Sequence, residues 1–203
     1  MFDPSTYSER TSAVVGVTVW TRVADGSSSL ILPDGCIDVL WDGRLLTVAG
    51  PDTTAHRASP RYGTPYTALR FACGVAPTVL GIAADGLRDQ RPLLADVIGK
   101  DDTERLGESL LATDDPSNEL ERWSGRRLAH AGGRDRTMSR VAALIGDGQT
   151  VAEVAARWVS ASVSSTVVRL PRLATGRRCW PDCCAFSAPW HSPAVGCHWC
   201  RPR

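Results

Sequence analysis

At Trp158 the chain stops reading as a folding sequence, and that break limits what its C-terminal part can build. Five of the seven cysteines (Cys179, Cys183, Cys184, Cys197, Cys200) and four of the seven tryptophans fall after Arg157. Asp182 is the only acidic residue there. Prolines stand at 171, 181, 189, 193 and 202, and no amphipathic period is sustained. Residues 158–203 are therefore expected to form a disordered tail that protease removes before it touches the rest.

The genetic code suggests a cause. Lys100 is the only lysine among 23 Lys and Arg residues, and Ala, Gly and Val are abundant, as in a GC-rich bacterial gene. Reading each codon's third base with the next codon's first two turns Arg157–Val168 into "LGVSERQLHRR" with permissible codons. Trp158 followed by Val159 forces the glycine. With the third base of the preceding codon included, Leu173–Arg177 then gives "FGYGP", and Cys183–Trp190 gives "LLRFQRAL". The shifted text has helical periodicity and a turn glycine, which the written text lacks. A shift of reading frame is the expectation.

Upstream, residues up to about 82 are dense in strand signals. Ala13–Trp20 is β-branched and alternating. Ser29–Leu32, Cys36–Trp41, Leu45–Ala49, Tyr66–Cys73 and Thr78–Ile82 follow. Turn chemistry separates them, most clearly Asp42-Gly43, where glycine tolerates positive φ. Strands at this spacing predict a sandwich or barrel.

The period then lengthens. Pro92–Ile98 predicts a short helix. Asp102 is placed as the cap of a helix bearing Leu106 and Leu110. Asp115-Pro116 reads as a cap and a first-turn proline, opening a helix with Leu120 and Trp123. Ala131-Gly132-Gly133 marks a boundary. Arg134–Ile145 carries Met138, Val141, Ala142 and Ile145 on one apolar face. Gly146-Asp147-Gly148 ends it. Thr150-Val151-Ala152-Glu153 is a capping box, and Val151, Val154 and Ala155 supply the expected buried face. A turn glycine and second helix should follow, but Trp158-Val159-Ser160 stands there.

Residues 134–157, with "TVAEVAAR" after a Gly-rich turn, resemble the opening of the DNA-binding domain of AraC-type (AraC/XylS) transcription regulators. The shifted tail resembles the remainder. The N-terminal half resembles an uncharacterised sensor domain found ahead of such modules. That likeness rests on Leu32-Pro33-Asp34-Gly35-Cys36-Ile37-Asp38, Val48-Ala49-Gly50-Pro51-Asp52-Thr53, and Arg70-Phe71 with Gly74. The resemblance implies two helix-turn-helix units, each placing a second helix in a major groove, with basic residues on phosphates. Thr150, Val151, Glu153 and Arg157 belong to the partial first unit, and both reading helices are absent as written.

Asp34, Cys36, Asp38 and Arg70 are the candidate effector contacts. Cys36 and Asp38 share a strand face, and that face could line an interior. The plainer reading has Asp34 shaping the turn and Cys36 acting as a small buried hydrophobe. Arg70 either pairs with Asp38 or faces solvent. Trp20 and Trp41 either wall a pocket or belong to the core. His56 lacks partners at metal spacing. Cys197-His198-Trp199-Cys200 is a C-x-x-C, but the frame reading accounts for the tail cysteines without zinc, so neither a metal nor another cofactor is expected. No Gly-rich phosphate loop, G-x-S-x-G or H-E-x-x-H occurs, so no enzyme is expected.

The expectation is thus an α+β protein. A β-sandwich or barrel-like sensor with short helices occupies 1–112, a linker helix 113–132, and the start of a helix-turn-helix domain 133–157. It is a DNA-binding transcription regulator impaired in specific binding, or else a stand-alone small-molecule-binding or dimerising β-domain. Its partners would be DNA, a small-molecule effector and a second copy. No signal peptide or ~18-residue apolar span is read, which predicts a cytoplasmic protein with Cys36 and Cys73 reduced. The net charge of +1 hides an asymmetry, since residues 157–203 hold seven arginines and one aspartate. Those arginines leave sequence-independent, salt-sensitive DNA binding open.

Overall fold

The computed structural model describes residues 7–161, with side chains through Arg157. The expectations for the tail after Ala161 lie outside the described residues.

Seven strands form first: β1 (Ser8–Thr11), β2 (Val17–Val23), β3 (Ser29–Ile31), β4 (Ile37–Trp41), β5 (Leu46–Ala49), β6 (His56–Ala58) and β7 (Pro65–Phe71). Five make one antiparallel sheet in the order β1-β2-β7-β4-β5, while β3 and β6 form a separate ribbon. Alternation assigns the faces. Val19, Leu69, Val39 and Val48 lie side by side across four strands, and none is more than 2% exposed. At the β4–β5 turn, Gly43 has φ 89° and the Asp42 carboxylate accepts from Arg44 N and Leu45 N at 2.9 and 2.7 Å.

Helices cover the apolar face: α1 (Ala76–Leu80), a 3-10 turn (Ala84–Leu87), α2 (Leu94–Ile98), α3 (Lys100–Leu111) and α4 (Pro116–His130). Leu80, Leu87, Leu94, Leu106, Leu110, Leu120 and Trp123 join the strand valines and leucines in one core. The α+β class is as expected. The strands, however, close neither a barrel nor a sandwich, because the helices take the face a second sheet would cover.

Three local expectations change. Thr78–Ile82 is not a strand; a short, mostly apolar run does not distinguish buried strand from helix, and Pro77 in the first turn suits α1. Asp102 does not cap α3, which starts after Gly99 and holds Asp102 inside its first turn. The 113–132 helix is more than a linker, since Leu120 is fully buried and Trp123 5% exposed in the main core. Its predicted cap forms: Asp115 Oδ1 accepts from Asn118 N at 3.0 Å.

The outer edge of β5 is occupied. Val48 N and Gly50 N donate to Pro92 O and Gln90 O at 2.9 and 3.0 Å. A Cβ on Gly50 would lie 1.7 Å from Leu87 O, so only glycine admits this approach.

Two helices follow, α5 (Arg136–Gly146) and α6 (Val151–Ala161). Asp135 caps α5, accepting from Met138 N at 3.0 Å. Met138, Val141, Ile145 and Val154 form a second, separate core with Leu144 against it. Val151, expected on the buried face, is 41% exposed, and α6 runs three residues past Trp158.

Candidate functional site

The sheet face turned away from the helices collects the predicted residues. Register sets Asp38 opposite Arg70, with Thr18 on Arg70's other side. The carboxylate accepts twice from the guanidinium, Nε to Oδ1 and Nη2 to Oδ2, both at 3.2 Å. Trp20 Nε1 adds a third hydrogen bond to Oδ2 at 3.0 Å. Asp34 reaches the same guanidinium, Oδ2 lying 3.9 Å from Arg70 Nε, while its Oδ1 accepts from Cys36 N at 2.9 Å. Asp34 therefore shapes the turn, as the plainer reading has it, and also faces Arg70, which that reading did not include. Arg70 pairs with Asp38 rather than simply facing water.

The electrostatics follow from burial. Desolvation raises the Asp38 pKa above its ordinary value, against the pull of Arg70 and the Trp20 N–H. Desolvation opposes the charge on Arg70, but Asp38 and Asp34 outweigh it and hold the guanidinium firmly charged. One cation facing two carboxylates leaves the cluster net negative when ionised.

Tyr7 and Trp20 wall the cluster, with ring centroids 6.0 Å apart at 31°. The Tyr7 hydroxyl donates to Glu9 Oε2, and burial pushes its pKa up. Trp20 therefore donates into the charged cluster and is not part of the main core. Tyr7 and Cys73 were missed by sequence reasoning. Cys73 Sγ donates to Gly35 O at 3.2 Å, at the end of the cluster. The available signal was strand register: once Asp38 is set opposite Arg70, Cys36 and Cys73 must fall at one sheet corner.

The helix-turn-helix candidates stand apart on α6. Thr150 N donates to Glu153 Oε2 at 2.6 Å, and Glu153 N to Thr150 Oγ1 at 2.9 Å, which is the predicted reciprocal box. Val151 and Arg157 are exposed, and Arg157 Nη1 donates to Gln149 Oε1 at 3.3 Å. Among the described residues no helix is long and apolar enough to cross a membrane, and no group of three or more His, Cys, Asp or Glu could hold a metal ion.

No protein-family model, curated protein or solved structure matches the chain.

Proposed function

We propose that this chain is a transcription regulator of the AraC type whose specific DNA binding is impaired by the break at Trp158. The supporting observation is α5 and α6: two helices joined by a Gly-rich turn, the second opened by a capping box, with a small core of their own. This is the arrangement expected of a first helix-turn-helix half. The sheet unit acts as the sensor. Coupling in an intact relative requires an effector with different affinity for two presentations of the DNA-binding domain. The Asp34–Asp38–Arg70 cluster, net negative and flanked by Trp20, suits a small neutral or cationic effector with an apolar body.

DNase footprinting on the gene's own upstream region tests this reading. The expected result is no sequence-dependent protection, with weak retention that falls steeply as salt rises. A protected, sequence-dependent site would overturn the loss of recognition. The nucleotide sequence across codons 155–160 tests the cause, and an early stop in the alternative frame would remove it.

The second reading, a small-molecule-binding or dimerising β-domain without a DNA role, draws support from the charged and aromatic sheet face. An isolated 1–133 fragment that binds a ligand as tightly as the full chain favours it.

A further inference from the structure

Cys36 and Cys73 are the two free cysteines among the described residues. The Ile37–Phe71 pair starts β4 and ends β7, so Cys36 and the bend at Ala72–Cys73 leave the sheet at one corner. Cys73 Sγ is held at 3.2 Å on the carbonyl of Gly35, the residue before Cys36. Two thiols brought together by backbone register, at the end of a charged cluster, form a feature that the proposed function does not use.

The same corner carries the seat of α5. Gly74, next to Cys73, has φ +84°, and a Cβ there would meet Met138 Cβ at 3.3 Å. Gly16, whose carbonyl accepts from Ala72 N at 2.9 Å, lies against Val75 and the Arg134 guanidinium. Met138 is 1% exposed. The first turn of α5 thus rests on the bend that begins with Ala72 and Cys73.

We propose that Cys36 and Cys73 close reversibly into a disulfide, and that closure is transmitted through Gly74 to α5. The oxidant is a low-molecular-weight disulfide, RSSR. One protein thiolate attacks a sulfur of RSSR and releases one RSH. The second thiolate attacks the protein sulfur of the mixed disulfide, forming the Cys36–Cys73 bond and releasing the other RSH. The two protein thiol protons end on the two RSH molecules. Closure takes Cys73 Sγ off Gly35 O and reshapes the bend on which Met138 sits.

The neighbouring Cys73 thiol and burial raise the Cys36 pKa well above its ordinary value. Little of Cys36 is thiolate near neutral pH, so closure is slow.

The full chain is equilibrated in oxidised and reduced glutathione, quenched in acid, alkylated and digested with trypsin. Cys36 and Cys73 fall on separate peptides, 23–44 and 71–88, so the tail cysteines do not confuse the assignment. The expected result is a 23–44/71–88 cross-link that glutathione reverses. Amide exchange across 134–146 is expected to rise about tenfold in the cross-linked form. In Cys73→Ser, which keeps a donor for Gly35 O, the cross-link and the exchange response both disappear. Free or singly glutathionylated thiols in the most oxidising buffer would overturn the pairing. A cross-link with unchanged exchange in α5 would overturn the transmission.

Discussion

The sheet unit and the α5–α6 pair are built from the same kinds of residue, yet they differ in how far each can stand alone. Among the described residues, nineteen form the first core and four the second. The first turn of α5 also leans on the sheet unit, where a Cβ at Gly74 would meet Met138 Cβ at 3.3 Å. The helix pair therefore depends on its seat at Gly16 and Gly74. A helix-turn-helix half is legible from its caps and periodicity, but its stability has to come from neighbours.

The sharpest way to break this comparison is Gly50→Ala. The new methyl meets backbone at Leu87 O, and we expect a loss of about 4 kcal/mol or more in urea unfolding, carrying both regions down together. If α5–α6 survived the loss of the sheet unit, the dependence would be refuted. Next comes Asp38→Ala, which leaves the Arg70 guanidinium with only the more distant Asp34. We expect a loss of about 2–4 kcal/mol in the same assay, discounted because Arg70 keeps some contact with water.

Thr150→Ala removes one half of the capping box. A cost of about 1 kcal/mol is expected, confined to α6; hydrogen exchange should show opening in 151–157 and none in β2 or β7. Equal loosening of the sheet would mean that the two regions melt as one.

The smallest effect concerns acid. Glu121, in α4, accepts from Arg10 in β1 at 3.0 and 2.5 Å, and the Arg10 hydrogen bond holds its pKa below the ordinary glutamate value. A depressed folded pKa gives stability that is complete above the unfolded value and lost as pH falls through the folded one. Amides of β1 should therefore lose protection, relative to their intrinsic exchange rates, as pH drops below about 4, while those of β7 stay protected. Glu121→Gln should remove that pH dependence.

The sequence exposed different parts of the molecule unevenly. Asp42-Gly43, Asp115-Pro116 and Thr150–Glu153 were readable because each is a local hydrogen-bonding device complete within four residues. The Val19–Leu69–Val39–Val48 row was readable as alternation. Ser8–Thr11 and His56–Ala58 were not, since short polar strands show no apolar period and exist only through their partners. Open-sheet architecture was hidden for a related reason: alternation says that one face is buried, and it is silent on whether helices or strands bury it. At the site, Asp34, Cys36, Asp38 and Arg70 were each named, but the choice between the Arg70 pairings needed a register that no short window contains. Tyr7 reaches the cluster only because β1 pairs with β2.

The two margins of the sheet are unequal. The outer side of β5 is sealed by main-chain bonds to residues 90–93, whereas that of β1 is guarded among the described residues only by its polar side chains Ser8, Glu9, Arg10 and Thr11. A sheet that can be extended from one edge alone cannot propagate a chain of copies through its strands. Were two such sheets to meet rim to rim, each would terminate the other, and the assembly would stop at a pair.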